Sequence, residues 1–401
     1  MFREYITIQR WLPLVIKLAA GFLAFAGIAA HAGGQDPSNP SAMASKIEAI
    51  FTPIVAPNAP GVAVLVVKGG RKLFEHGYGL RDLKSAAKID ARTNFRLASC
   101  SKQFTAMAIM LLVHDGKLRY EQELTDVFPD FPAYGKSISI RNLLNHTGGL
   151  QDYETLMEQP ETKGKWTENH QIQDAEVLRV LEQTDHGMFP TGTQWYYSNS
   201  GYVVLGLVVA KASGQSFPEF LRQRIFAPLN MNDTVAYVKG KNEITNRAYG
   251  HTKEGNTWKQ TDQSSTSATL GDGGIYSSLE DLTKWAEALR TNRLLSKEEM
   301  QPALTPVTLL LTSLNIGAQP RWPANSDRPE GTPVSYGFGW FLDPYRVHAR
   351  MWHYGATMGF HSYIARFPDI DLSIIVLCNR TDISPESLAL QVADLLLVSP
   401  K

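Results

Sequence analysis

Cysteine and net charge are what this chain has least of. Two cysteines, Cys100 and Cys378, stand far apart in 401 residues. Two are too few for a disulfide framework, and both read as buried free thiols. No Cys/His spacing suggests a metal site, and no cofactor is expected. Lys+Arg and Asp+Glu both number 39, so there is no basic field to hold a polyanion, and nucleic acid is excluded as an expected partner. Internal repeats and low-complexity tracts are also missing. With 43% of residues hydrophobic and 19% charged, the chain can bury a sizeable core as one large domain or two smaller ones.

The N-terminus differs from the rest. "MFREYITIQRWLPLVIK" carries Arg3, Arg10 and Lys17, and the apolar run "LAAGFLAFAGIAA" follows. Ala30-His31-Ala32 then forms a small-x-small site before the polar "GGQDPSNPS". This is the grammar of a secretory signal over residues 1–32, cleaved after Ala32. An uncleaved anchor with Lys17 snorkelling is the alternative. Cleavage would leave a body of residues 33–401, periplasmic or secreted, with no stable membrane association.

Along that body, "SAMASKIEAIFTPIV" has helical spacing, and "GVAVLVVK" and "RKLFEHGYGL" flank Gly69-Gly70 as a β-hairpin. From about Ser99 to Leu270 the texture is mainly helical. Strand signals return in "SYGFGWFL", "ARMWHYGA", "FHSYIARFP" and "LSIIVLCN", and Ser384-Pro385-Glu386 opens a last helix. This pattern predicts an α+β fold, with an antiparallel sheet drawn from both chain ends and flanked by helices. The sheet part would span about 45–95 and 271–401, and a mainly helical inserted subdomain about 96–270. Residues 312–334, rich in Pro, Gly and Asn, read as a surface loop.

Two short motifs carry chemistry. In "LASCSKQF", Ser99 and Lys102 share a helix face at the mouth of the apolar "FTAMAIMLLV". Ser99 stands where backbone N–H groups are unpaired, and a desolvated Lys102 could take its proton. A serine cap followed by a first-turn lysine is the bland alternative. A second S-x-x-K match, Ser85 to Lys88, lies in a charged connection and leads into no buried helix. Tyr197-Ser198-Asn199 is the only Y-x-N. A tyrosine whose pKa a nearby cation lowers can shuttle protons, and an asparagine amide can hold a substrate carbonyl.

With these motifs the chain resembles the serine β-lactamase and penicillin-binding protein superfamily, in the branch of class C β-lactamases, D-alanyl carboxypeptidases and family VIII esterases. Members carry S-x-x-K, Y-x-N and then K-T-G or H-x-G, in that order. No K-T-G occurs here. Of four H-x-G matches only His353-Tyr354-Gly355 follows Tyr197 in a strand-like run. "LLNHTGGL", "LGDGGIYSSLEDLTKWA" and "YGFGW" are further landmarks, and the likeness runs over about residues 45–397.

The resemblance implies a β-lactamase/transpeptidase-like fold and a serine hydrolase working through an acyl-enzyme. Ser99 would be the nucleophile, and Lys102 and Tyr197 would share the proton work. Asn199 would orient the substrate, His353 and Gly355 would border the pocket, and the N–H groups of Ser99 and Ala356 would form the oxyanion hole. His146 and glycines 271, 273 and 274 read as structural. Substrates would be esters or D-amino-acid-type peptides or amides. β-Lactamase or D,D-carboxypeptidase action on cell-wall-type substrates stays open, as does a penicillin-binding sensor that acylates without turnover.

Overall fold

The computed structural model describes residues 40–311, 316–324, 326 and 328–397. The expected signal and its cleavage point after Ala32 lie outside these residues. Among the described residues no helix is long and apolar enough to cross a membrane.

The apolar runs at the two ends of the chain pair with each other. The main sheet has six strands: β1 (Val62–Lys68), β2 (Arg71–Tyr78), β3 (Phe341–Tyr345), β4 (His348–Thr357), β5 (Phe360–Phe367) and β6 (Leu372–Cys378). Their spatial order is β3-β4-β5-β6-β1-β2, antiparallel throughout, with Val62 opposite Cys378 where the first strand meets the last. β1 and β6 are apolar without alternation because both faces of the sheet are covered.

Alternate residues serve opposite faces. Ala63, Leu65 and Val67 join one core with helices α2 (Lys102–His114), α3 (Asn199–Ser213) and α4 (Leu279–Arg290). Val62, Val64 and Val66 join another with α1 (Pro40–Phe51) and α5 (Pro385–Leu396). Cys100 lies in the first core and Cys378 in the second, both free and buried. The described structure is therefore α+β, helices on an antiparallel sheet.

Between β2 and β3 the chain carries α2, α3 and shorter helices, and also a hairpin, His251–Glu254 with Thr257–Gln260, that has no apolar alternation to announce it. The segment expected as a surface loop is partly ordered as strand: Leu309–Leu311 pairs with Ile316–Ala318. Trp322, in the same segment, stacks on Phe341 at 5.6 Å and meets Trp195 at 5.0 Å. An indole in a Pro/Gly-rich run still seeks apolar cover, and here it roofs an aromatic cluster beside the site.

Asn379, fully buried just past β6, ties the sheet to the inserted chain. Its Oδ1 accepts from Gly61 N–H at 2.7 Å, and its Nδ2 donates to the carbonyls of Leu80 at 3.1 Å and Tyr249 at 2.9 Å. Asn379→Ala should cost about 2–4 kcal/mol, since it leaves these groups buried without partners. A urea midpoint within error of wild type would refute that junction.

Candidate active site

Ser99 sits, half-buried, in a tight 3₁₀ turn, Ala98–Ser101, and α2 begins only at Lys102. The spacing of three survives this shift, because residues i and i+3 eclipse in a 3₁₀ turn. Lys102 Nζ lies 3.2 Å from Ser99 Oγ. Ala98 before it is left-handed, with φ 49°, a strained conformation for a residue with a Cβ. The strain is held from several sides. Leu97 N–H donates to the Ile275 carbonyl at 2.9 Å, and Ile275 N–H donates to Ser101 Oγ at 3.1 Å.

The third contact on this turn is β4. A Cβ on Gly355 would stand 2.2 Å from the Leu97 carbonyl and 3.2 Å from Ser99 N, so only glycine lets the strand lie against the turn. Cys100 Sγ donates to the His353 carbonyl at 3.2 Å and closes the same seam. Ala356, next along β4, is exposed.

Lys102 has no exposed surface, and its ammonium meets three partners: Ser99 Oγ, Asn199 Oδ1 at 2.8 Å and the Asp272 carbonyl at 3.0 Å. Asn199 Oδ1 and the carbonyl can only accept. The serine hydroxyl can also donate, so a neutral amine would keep two donated bonds and turn its lone pair to Ser99. Burial pushes the Lys102 pKa down to about 8, against the opposing pull of Asp272 and Glu154.

The Asp272 carbonyl is delivered by a loop squeezed between α2 and α3. Thr105 Oγ1 donates to Gly271 O at 2.6 Å, and a Cβ on Gly271 would fall 2.1 Å from the Tyr202 carbonyl.

Tyr197 places its ring under the Lys102 nitrogen, 4.8 Å from the centroid. Its hydroxyl is buried and makes no full hydrogen bond among the described residues, although Ser99 stands near enough to ease its ionisation. Burial outweighs that help and pushes the phenol well above its usual value. The sequence-based expectation of a lowered tyrosine pKa is therefore reversed: the ring is stacked below the cation, and desolvation dominates. Tyr197 keeps its proton, and Lys102 is the group that can lose one near neutrality.

His353 also departs from expectation. It is 1% exposed, with Nδ1 donating to the Tyr354 carbonyl at 2.7 Å and Nε2 accepting from Tyr336 Oη at 3.1 Å. Burial, with the nearby Lys102 charge, holds its pKa at about 3. It backs the site as a neutral, fully partnered ring. Tyr354 lies on the other face of β4, packed against the core that α1 and α5 help to form. The second S-x-x-K match falls elsewhere: Ser85 is exposed in a turn, its Oγ donating to Asp82 Oδ2 at 2.6 Å.

The structure thus brings together Ser99, Lys102, Tyr197, Asn199, Gly355 and Ala356, and sets His353 behind them. Sequence reasoning overlooked the Asp272 carbonyl, Cys100 Sγ and Tyr336 Oη. The landmarks "LGDGG" and "YGFGW" hold two of these groups, and were the available signal. Among the described residues no cluster of three His, Cys, Asp or Glu is placed to hold a metal.

A model of the Beta-lactamase family matches residues 47–397. Penicillin-binding protein 4* of Bacillus subtilis (strain 168) is 30% identical over 331 residues, which cover 80% of this chain and 68% of that protein. Other curated relatives extend further beyond it, and the chain spans 59% of their length. The D-amino acid amidase of Ochrobactrum anthropi SV3, solved with L-phenylalanine amide, aligns with a TM-score of 0.68 at 25% identity, over 88% of this chain and 96% of that one. A class C beta-lactamase aligns with a TM-score of 0.70 at 20% identity, over 90% and 98%, a likeness of fold alone.

If Lys102 receives the Ser99 proton, acylation needs the neutral amine. The rate of Ser99 labelling by a fluorophosphonate should then rise with pH through about 8 and level off above it, with no limb from His353 in the neutral range. A rise centred near the ordinary lysine value of 10.5, or a flat profile, would contradict the assignment.

Proposed function

The chain belongs to the Beta-lactamase family, and on that premise we propose that it is an exported serine hydrolase that forms an acyl-enzyme on Ser99 and acts on esters and D-amino-acid-type amides. Family membership supports hydrolysis in general. The choice of substrate is carried by one observation: His353, the histidine of the H-x-G motif, is buried and neutral with both ring nitrogens occupied, so it offers a substrate carboxylate no charge.

The proposed sequence of steps uses the groups in place. Ser99 Oγ attacks the acyl carbonyl as its proton passes to the neutral Lys102 amine, 3.2 Å away. The developing oxyanion is taken by the N–H groups of Ser99 and Ala356, a pairing supported by the close approach of Gly355, the neighbour of Ala356, to Ser99 N. Asn199, with Oδ1 committed to Lys102, has its Nδ2 group left for the substrate. The protonated lysine then returns its proton to the leaving oxygen or nitrogen, with the Tyr197 hydroxyl as the intermediate carrier, and water later releases the acyl group.

β-Lactams and D-Ala-D-Ala peptides present a free carboxylate. The carboxyl groups that act on Lys102 are those of Asp272 and Glu154, and His353, where such a carboxylate would need a cation, is neutral with both nitrogens occupied. A missing charged hydrogen bond costs about 1.5–3 kcal/mol, roughly ten- to hundredfold in rate if felt in the transition state. Simple esters and amino-acid amides lack that carboxylate and lose nothing. The likeness to a D-amino acid amidase supports the same choice.

The test is kcat/KM for nitrophenyl butyrate and a D-amino-acid nitroanilide against a chromogenic cephalosporin, on one preparation, with Ser99→Ala as control. The ester should be turned over at least about tenfold faster than the cephalosporin, and Ser99→Ala should abolish both. Faster cephalosporin hydrolysis would overturn the substrate class. A single stoichiometric acylation without turnover would favour the sensor reading instead.

A further inference from the structure

His146 has no role in the chemistry above, yet it touches the catalytic loop twice. Its own carbonyl accepts from Tyr196 N–H at 3.1 Å, and its Nδ1 accepts from Ser198 N–H at 3.1 Å. Those two residues flank Tyr197. We infer that His146 is a positioning residue: it clamps the backbone on both sides of Tyr197, and so sets the Tyr197 ring and the Asn199 amide against Lys102. The inference rests on the proposed acyl-enzyme reading.

Several features agree with this. The ring is 2% exposed and lies 4.5 Å from the Tyr197 ring, 4.6 Å from Tyr336 and 5.2 Å from Tyr202, so it cannot swing away. Because Nδ1 accepts, the proton must sit on Nε2, which is buried without a hydrogen-bond partner among the described residues. An orphaned N–H in an apolar setting is a cost, and the Nδ1 contact is what the residue returns for it. His146 also has φ 65°, a left-handed conformation that an ordinary space-filling residue would avoid. Burial and the Lys102 charge keep the imidazole neutral, so the acceptor persists through the working pH range. Ser198 Oγ accepts from Gly201 N–H at 3.0 Å and caps α3, which carries the fixed backbone directly into Asn199.

His146→Asn and His146→Gly separate the acceptor from the packing. Both residues tolerate a left-handed backbone, and both lose the ring. Only asparagine keeps an acceptor, Oδ1, at the place of Nδ1. The measurements are thermal midpoint, Ser99 labelling rate, and kcat and KM for nitrophenyl butyrate. Both variants should lose stability. His146→Asn should stay within about fivefold of wild type in kcat, and His146→Gly should fall at least about tenfold below it, with KM little changed in either. Equal rates for the two variants, or a wild-type rate for His146→Gly, would overturn the inference and leave only packing.

A second measurement needs no variant to be active. In ¹⁵N-histidine-labelled wild type, the resonance identified by its loss in His146→Asn should report an unprotonated Nδ1 and a protonated Nε2. The opposite tautomer would also overturn the inference. If wild-type Ser99 takes no label at all, the acyl-enzyme reading fails and the inference fails with it.

Discussion

A lysine amine with no exposed surface is the constraint on which the site depends. Removing Lys102 from water lowers its pKa from 10.5 to about 8, a penalty on its charged form of roughly 3 kcal/mol. The protein tolerates that penalty because three neighbours are fixed within hydrogen-bond reach, and each is held by a different part of the chain. Ser99 comes from the turn before α2, Asn199 from the start of α3, and the Asp272 carbonyl from the glycine loop before α4. Two of the three cannot donate, so loss of one proton from the amine points its lone pair at the serine.

The architecture can be read as the means of bringing these pieces to one point. β4 lies on the sheet formed by both chain ends, and it meets the Ser99 turn only because Gly355 has no side chain. Tyr336 and His353 fill the space behind, the hydroxyl donating to Nε2 while Nδ1 is spent on the Tyr354 carbonyl. The result is an apolar, hydrogen-bonded backing in which His353 stays neutral. On the proposed reading, a backing of this kind favours acyl donors without a carboxylate.

Much of this was legible in the sequence where the signal is local. Spacing placed Lys102 beside Ser99, the apolar runs 62–67 and 372–378 announced strands, and order selected His353-Tyr354-Gly355 among the H-x-G matches. Most of the misses are long-range. A backbone carbonyl such as that of Asp272 leaves no mark on residue type. Whether His353 faces substrate or core is decided by Tyr336, which no spacing rule connects to it. Tyr197 was expected to lose its proton more easily beside a cation. Only its depth shows that desolvation wins. The hairpin 251–260 has charged and polar residues at most positions, so periodicity could not find it.

The most direct test of the account is to titrate the Lys102 amine itself. In protein labelled with ¹⁵N-lysine, the Nζ resonance that disappears in Lys102→Arg should titrate with a midpoint near 8, because desolvation outweighs the acceptors that favour the ammonium. A midpoint near 10.5 would show a lysine that stays charged through the neutral range, and the assignment of Lys102 as the base for Ser99 would be wrong.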